Sequence, residues 1–491
     1  MDTRTRKSQS SSIRFSNILG LLAPSAAAPS SMEPQYETCH SRVQPPPGEF
    51  PLAFIPGLAT CSFFRQPTNL IPEFELSICE VAALELCRKR GMFKQMKRKE
   101  GEELKERSGG SWKLVLMYLL AREASQGSEK LQVVAGGSHN IIVTGSGDVY
   151  TFGQIDGLPL SVYPATKDSS LLKKISSLEG VRIVQAAAAP GKTMLVSDSG
   201  LVYACGLDIA QKIQNEADMQ SMLVVDSLKE IFVVQVVIGV LFVAVLSMEG
   251  RVYTIFWGDE LKLGHQSDPM DMEPRPLNGA LANIPVVQIG AGHCYLLALA
   301  FQPNGMSVYS VGCGEGGKLG HGSTTSEKLP RLIEHFQVLN VQPTSIFAGT
   351  WHAAVLGHNG EVCTWGWGHC GCLGHRNDAY QTLPMVVQGL GDGKAVHIAT
   401  GNLTTFVVHD NGQIYYFGAE RQEIPDAAPF EPQYTAKAVI NPKLARYLMD
   451  MGEKIVQISI AKSAEEFDHL VVLTESGNVF ALCMAVDDDE E

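Results

Sequence analysis

The most constraining feature of this chain is one short pattern that recurs seven times between residues 131 and 483. Each copy has a glycine, an apolar segment, a turn closed by a second glycine, and another apolar segment. The turn glycines lie about fifty residues apart, a period typical of one supersecondary unit per repeat. They are Gly147, Gly200, Gly250, Gly305, Gly360, Gly412 and Gly477. Units of short strands that cannot bury their apolar faces alone predict an all-β, seven-bladed β-propeller.

Two smaller motifs keep fixed places within the repeat. One is a glycine three residues before a position that is often histidine, and the other is the tripeptide Leu-Gly-His further downstream. Because equivalent positions recur in successive blades, we expect a structural role, with imidazoles linking neighbouring blades by hydrogen bonds; contact with a ligand or partner is the alternative. The residues concerned are Gly136, His139, Gly239, Gly290, His293, Gly349, His352, Gly401, Leu263, Gly264, His265, Leu319, Gly320, His321, Leu373, Gly374 and His375.

Taken together, these motifs resemble the repeat of the regulator of chromosome condensation family. The copies at Gly290–Gly322 and Ala348–His375 match it best, and the resemblance covers about residues 131–483. It implies the same seven-bladed propeller that the repeat count predicts, in what we expect to be a divergent, plant-like member. The founding member is a guanine-nucleotide exchange factor for a small GTPase and also binds chromatin. The resemblance therefore implies exchange activity as an alternative function.

The repeats place the propeller at residues 131–483 and leave three other segments. We expect a disordered Ser/Pro-rich tail at 1–60, a small helical module at 61–130 and an acidic tail at 484–491. Copy seven ends without its Leu-Gly-His half, so a strand from elsewhere must complete the last blade, and residues 108–130 are the nearest candidates. The repeats themselves are expected at about 131–180, 181–229, 230–285, 286–343, 344–394, 395–452 and 453–483.

Two N-terminal segments allow more than one interpretation. Residues 1–31 are rich in Ser and Ala and carry basic residues, a composition typical of an organelle transit peptide. We expect the protein in the nucleus or cytoplasm, with a plastid or mitochondrion as the alternative through this segment. Residues 70–95 faintly resemble part of an F-box, which would make the chain a ubiquitin-ligase substrate receptor bound to a cullin-ligase adaptor. A helical cap over the propeller is the interpretation that we favour.

No residue pattern predicts catalysis, a cofactor or a metal site. Gly312–Lys318 approaches a phosphate-binding loop, but Leu319 stands where a magnesium-binding hydroxyl is needed. The cluster Cys363–His375 lacks the paired spacing of structural zinc sites, and its last histidine belongs to the Leu-Gly-His motif. Ile231–Met248 is apolar enough to suggest a membrane span, yet its glycine register predicts buried strands.

These features favour a monomeric protein–protein interaction scaffold built on the propeller. Nucleotide exchange on a small GTPase and service as a ubiquitin-ligase receptor are the alternatives. The net charge of −13 argues against direct nucleic-acid binding, and no membrane contact is expected. The candidate partner contacts are Trp351, Trp365 and Trp367, and Asp208–Lys229 and Ala419–Met451 are the candidate specificity loops.

Overall fold

Seven four-stranded antiparallel sheets make up a seven-bladed β-propeller, which confirms the fold predicted from the repeat. The computed structural model describes residues 77–126, 131–136, 139–153, 160–163, 172–206, 222–240, 242–256, 273–418, 433–439, 452–461 and 469–483. All of them belong to one compact unit. The predicted tails at 1–60 and 484–491 lie outside the described residues, as does most of both candidate specificity loops.

In each blade three consecutive strands are followed, from the channel outwards, by a fourth and outermost strand. The strands of the first three repeats are β1 Gln132–Ala135, β2 His139–Val143, β3 Val149–Gly153, β4 Leu160–Tyr163, β5 Lys173–Lys174, β6 Ile183–Ala189, β7 Lys192–Ser197, β8 Val202–Cys205, β9 Leu223–Val224, β10 Val233–Ile238, β11 Phe242–Ser247, β12 Val252–Phe256 and β13 Arg275–Pro276.

The remaining repeats continue the same order. Their strands are β14 Val286–Ala291, β15 Tyr295–Gln302, β16 Gly305–Gly312, β17 Glu327–Leu332, β18 Pro343–Ala348, β19 His352–Gly357, β20 Val362–Gly366, β21 Gln381–Val386, β22 Ala395–Thr400, β23 Thr404–His409, β24 Ile414–Gly418, β25 Gln433–Val439, β26 Ile455–Ile460, β27 His469–Thr474 and β28 Val479–Cys483.

The second strand of each blade forms the core. Every residue of β11, β19 and β23 is buried, because a sheet of the neighbouring blade covers each face. Such strands are continuously apolar rather than alternating. The apolar segment Ile231–Met248 accordingly forms β10 and β11, with Gly239 at the turn between them. Among the helices of the described residues, none combines the length and apolar character needed to cross a membrane.

Blade seven is completed by a strand from the first repeat. β4 pairs antiparallel with β28, so the order of the last sheet is β26-β27-β28-β4. The chain then returns to blade one, where β5 pairs with β3. The expectation that residues 108–130 complete this blade is wrong, because Trp112–Gln126 is a helix. Ring closure instead depends on a short excursion between the third and fourth strands of blade one.

A helical module precedes the propeller, and its helices pack on one another. Glu80 organises it, since its carboxylate accepts a hydrogen bond from the Ser111 hydroxyl and another from the Trp112 amide, each at 2.6 Å. These bonds satisfy a donor at the start of the last helix of the module. Ala83 and Cys87 are buried against that helix. In the described residues, the α-helices of the module are α1 Ile78–Lys89, α2 Gly91–Gln95, α3 Arg98–Arg107 and α4 Trp112–Gln126, and α5 His335–Leu339 lies within blade four.

The module is anchored to blades three and four. The Arg107 guanidinium donates to the carbonyls of Glu249 at 2.7 Å, Gly250 at 3.2 Å and Ile284 at 3.0 Å. Burial lowers the pKa of Arg107 to about 10, so the group remains charged at neutral pH. Tyr118 adds a hydrogen bond to a backbone carbonyl of β14 at 3.2 Å. This arrangement is that of a helical cap on the propeller.

Candidate interaction site at the mouth of the central channel

The first strands of all seven blades line a central cavity of about 680 Å³. Its walls are mostly small and apolar, for example Ala186 and Val237, with polar groups between them. At one mouth the cavity reaches His293 and Trp351. Because the first and third strands of a blade run in the same direction, this face also carries the connections that follow the third strands.

Side-chain hydrogen bonds join the first strands of most neighbouring blades. Gln235 Nε2 donates to the Ile289 carbonyl at 3.0 Å, and the Ile289 amide donates to Gln235 Oε1 at 3.0 Å. Gln185 and Gln288 make the same pair of bonds to the following blade. Each of these glutamines directly follows a β-bulge, which turns the side chain out of the regular pleat. Single bonds of this kind join Gln132 to Val184, His397 to Ile458 and Gln457 to Val133.

Two of the predicted repeat histidines also link neighbouring blades. His139 Nε2 lies 2.7 Å from Thr193 Oγ1 in blade two. His352 Nε2 lies 2.8 Å from Thr405 Oγ1 in blade six. Burial lowers the pKa of His139, which favours the neutral imidazole in this contact. Both side chains therefore occupy positions between blades.

The histidine position of blade four is occupied by a tyrosine. Strand register places Tyr295 opposite Gly312, and the same register places His352 opposite Gly366 in blade five. The assignment of His293 to the repeat histidine position is therefore wrong, because His293 lies two residues earlier. The Tyr295 hydroxyl donates to the His352 carbonyl at 2.5 Å. A phenol thus supplies the inter-blade hydrogen bond that an imidazole supplies elsewhere.

The glycine that precedes this position in blade four is Gly292, and the assignment of Gly290 is wrong for the same reason. The amide of Gly292 donates to the carbonyl three residues later at 3.0 Å, and Gly349 does the same at 2.8 Å. A Cβ on Gly349 would lie only 2.8 Å from the Gly401 carbonyl oxygen in the next blade. Close approach of two backbones therefore requires glycine here. The same amide contact is made by Gly136, Gly239 and Gly401.

In its two described copies, the Leu-Gly-His motif bonds the outer connection to a hydroxyl of its own blade. His321 Nε2 lies 2.8 Å from the Ser310 hydroxyl, which itself donates to the Leu319 carbonyl at 2.7 Å. His375 makes the equivalent contact with Thr364 at 2.9 Å. The leucines are buried, and the glycines have φ near +75°. The remaining members are Gly320, Leu373 and Gly374, whereas Leu263, Gly264 and His265 lie outside the described residues.

Four aromatic rings form a continuous surface from the channel mouth to the rim of blade five. His293 stacks on Trp351 with ring centroids 4.7 Å apart. Trp351 meets Trp367 edge-on at 5.2 Å, and Trp367 meets Tyr380 at 5.6 Å. Tyr380 is 52% exposed, and the other three rings are partly exposed. We call these four residues the mouth surface.

A buried cation lies beneath the mouth surface. Lys318 is 1% exposed, and its Nζ lies 5.2 Å from the centroid of the Trp351 ring. A cation over a tryptophan face is stabilised by about 1 to 2 kcal/mol when it is shielded from water. Lys318 is the last residue of the segment that approaches a phosphate-binding loop, and its side chain contacts an indole there.

Trp365 is excluded as a partner contact. Its ring is 0% exposed, its Nε1 donates to the Lys318 carbonyl at 3.0 Å, and it packs edge-on against Phe336. Cys363 is equally buried, and burial raises its pKa to about 12. In the part of the chain that the structure describes, no group of His, Cys, Asp or Glu side chains is arranged to hold a metal ion.

The helical module and the mouth surface lie on opposite faces of the propeller. Arg107 contacts Glu249 and Gly250, which belong to the turn between the second and third strands of blade three. Trp351 directly precedes the second strand of blade five and Trp367 directly follows the third strand. Both therefore lie at the end of the blade that is away from the turn between these two strands. The module therefore leaves the mouth surface uncovered.

Sequence reasoning missed two features of the site. The inter-blade glutamines recur four residues before the repeat glycine, for example at Gln132 and Gln235, and this fixed offset is visible in the sequence. Residue identity alone points to His293, whereas the distance from Gly292 identifies Tyr295 as the residue at the histidine position. The sequence also does not predict the mouth surface as a whole, since Tyr380 has no counterpart in the repeat pattern.

Comparison with known proteins agrees with the blade geometry. The family model described as the regulator of chromosome condensation (RCC1) repeat matches residues 307–356 and 359–408. The mouse E3 ubiquitin-protein ligase HERC2 is 30% identical over 291 residues, which are 58% of this chain and 6% of that protein. The ultraviolet-B receptor UVR8 of Arabidopsis thaliana is 28% identical over 239 residues, which are 48% of this chain and 53% of the receptor. The chain thus spans a small fraction of the ligase and about half of the receptor.

Solved structures show the same fold at low sequence identity. Prp20p from Saccharomyces cerevisiae superposes with a TM-score of 0.53 at 19% identity, over 73% of this chain and 83% of that one. Human WBSCR16 gives a TM-score of 0.54 at 18% identity, over 72% and 87%. The matched repeats, with which the blade register agrees, show that this chain is built from repeats of the regulator of chromosome condensation family.

Proposed function

We propose that the protein is an interaction scaffold that binds another protein through the mouth surface. The observation that carries this proposal is the continuous contact of His293, Trp351, Trp367 and Tyr380 on a face that the helical module leaves open. Tryptophan and tyrosine dominate the residues that contribute most to protein–protein binding. Their side chains bring large apolar area at a low cost in conformational entropy.

The rigidity of the platform supports this role. Trp351 contacts both the His293 ring and the ammonium of Lys318, and Trp367 packs against Trp351. Rings that are already held in place lose little freedom on binding, which favours affinity. The connections after the third strands of blades four and five surround them, and loops on a rigid scaffold are common binding elements.

Nucleotide exchange on a small GTPase is a second candidate function. The structure of Prp20p was described together with its binding to Gsp1p and histones. The likeness to this chain shows the fold alone at 19% identity. Exchange by the present chain is therefore supported by family resemblance, and a nucleotide-release assay with Ras-like GTPases tests it.

Service as a ubiquitin-ligase receptor is a third candidate. In the helix that carries the F-box resemblance, Ala83 and Cys87 are buried against α4 within the cap. The named ligases among the relatives extend far beyond the region that matches this chain. Direct binding of a Skp-type adaptor to the purified chain tests this candidate.

The test of the scaffold proposal is proximity labelling with the full chain and matched variants. We expect Tyr380→Ala and Trp367→Ala to reduce capture of specific partners at least about fivefold, as expected for residues worth more than about 1 kcal/mol. Val338→Ala, at a 77% exposed residue of α5 outside the mouth surface, is the control. An unchanged partner profile in the Trp367→Ala, Tyr380→Ala double variant, with an unchanged melting temperature, overturns the proposal.

A further inference from the structure

Two cysteines face one another at the channel mouth of blade four. Cys294 directly precedes β15, Cys313 directly follows β16, and the Cys313 amide donates to the Cys294 carbonyl at 2.9 Å. Such a hydrogen-bonded antiparallel pair has a Cα separation of about 5.5 Å. Disulfides span Cα distances of roughly 4.4 to 6.8 Å. The Cα separation expected for such a pair lies within the range that a disulfide spans.

The neighbouring blade shows that side chains at these two positions meet. Trp351 directly precedes β19 and Trp367 directly follows β20, so they are the blade-five equivalents of the two cysteines. The same backbone bond joins them, from the Trp367 amide to the Trp351 carbonyl at 3.1 Å. Their rings are in edge contact at 5.2 Å. The repeat thus directs both side chains to the same side of the sheet.

An imidazole stands next to one of the thiols. His293 Nδ1 lies 2.7 Å from Cys294 Sγ. An adjacent histidine favours the thiolate, which is the nucleophilic form of cysteine. Cys294 is buried but keeps 8% of its surface exposed, and Cys313 beside it is partly exposed. By contrast, Cys363 is 0% exposed in the interior of blade five.

We propose that Cys294 and Cys313 form a hydroperoxide-sensitive dithiol site, with Cys294 as the attacking thiol and Cys313 as the resolving one. His293 takes the thiol proton, the Cys294 thiolate attacks one oxygen of a hydroperoxide and breaks the O–O bond, and Cys294 becomes a sulfenic acid while the other oxygen leaves as alcohol or water with the proton returned by His293. The Cys313 thiol then displaces water from that sulfenic acid and forms the disulfide. In sum, two thiols are oxidised and one hydroperoxide is reduced.

Oxidation at this site would alter the mouth surface. Cys294 in a disulfide has neither the S–H donor nor the thiolate charge to bind His293, whose ring stacks on Trp351, so this contact is weakened. A loosened His293 would weaken partner binding there. This consequence rests on the proposed function, whereas the oxidation chemistry does not, so the experiment below measures the chemistry separately.

The test follows each thiol in the full chain by mass spectrometry. Reduced protein is alkylated for graded times with iodoacetamide, and a second sample receives hydrogen peroxide before alkylation. No Lys or Arg lies between the two cysteines, whereas Tyr295, Phe301 and Tyr309 do, so chymotrypsin and not trypsin separates them. We expect Cys294 to be alkylated at least about tenfold faster than Cys363, as thiolate character and access predict. Peroxide should yield a linked Cys294–Cys313 peptide that dithiothreitol cleaves.

Three variants assign the roles. Cys313→Ser should accumulate a dimedone-reactive sulfenic acid at Cys294, and His293→Asn should slow alkylation of Cys294 about tenfold while leaving Cys363 unchanged. Cys363→Ser should leave the linked peptide intact. Melting temperatures establish that each variant is folded. The proposal is overturned if Cys294 reacts no faster than Cys363, or if peroxide gives neither the linked peptide nor the trapped sulfenic acid.

Discussion

At the scale of single residues, the repeat pairs the histidine of an outer connection with a hydroxyl of its own blade. The Ser310 hydroxyl gives its hydrogen to the Leu319 carbonyl, so His321 Nε2 must be the donor in its 2.8 Å contact with that hydroxyl. The imidazole can do this while it is neutral. Burial, and to a lesser extent the nearby Arg331, lowers the pKa of His321 to about 4.

This pKa predicts a pH dependence of stability. The unfolded histidine has a pKa of about 6.5, so between that value and about 4 the unfolded chain binds the extra proton and the folded chain does not. The contribution of His321 is therefore complete above about pH 6.5 and is lost as the pH falls toward 4. His321→Gln keeps an Nε2 donor and cannot titrate. We expect its melting temperature to fall less between pH 6.5 and 4.5 than that of the wild type.

The control for this prediction is His369→Gln, at an exposed histidine in the equivalent connection of blade five. It should keep the pH dependence of the wild type. Parallel melting curves for His321→Gln and the wild type across this pH interval would show that the buried imidazole is not a source of acid instability.

At the scale of elements, the sevenfold pattern made most strands predictable, because the same apolar segments recur at a fixed distance from turn glycines. One strand and one residue of the repeat were not predictable, for distinct physical reasons. β4 is a four-residue strand that lies between repeat positions. It pairs with β28, which is far away in the sequence, so no local periodicity marks it. In blade four, Tyr295 replaces the histidine, and hydrogen bonding by a phenol cannot be inferred from residue identity. The mouth surface was predicted only in Trp351 and Trp367, since Tyr380 contacts them from the start of β21.

The closing strand gives a prediction at this scale. Replacing Leu160–Tyr163 with Gly-Ser-Gly-Ser keeps the backbone groups that pair with β28 but removes the side chains that favour an extended strand, so β4 should detach and expose the edge of blade seven. Loss of about three ladder hydrogen bonds, at about 1 kcal/mol each, should lower the melting temperature by roughly 5 °C or more. Scanning calorimetry measures this change. An unchanged melting temperature would argue against closure by β4.

At the scale of the whole molecule, the two faces of the propeller carry different features. The helical module occupies one face, where Arg107 and Tyr118 engage backbone carbonyls and where Val287 and Phe301 of blade four join its apolar core. The mouth surface lies on the other face. Removing the module would expose this apolar area and leave several carbonyls of blades three and four without their donors. The module is thus expected to stabilise the propeller without forming the binding surface.

Truncation separates these two roles. Deleting residues 1–130 should lower the melting temperature of the propeller, because burial of Val287 and Phe301 and the hydrogen bonds of Arg107 are lost together. Deleting residues 1–60 retains α1 to α4 and should leave the melting temperature unchanged. At a temperature where both truncated chains remain folded, capture of partners that depend on Tyr380 should persist in both. Equal melting temperatures would contradict a stabilising module, and loss of that capture in the chain lacking residues 1–130 alone would move part of the binding surface onto the helices.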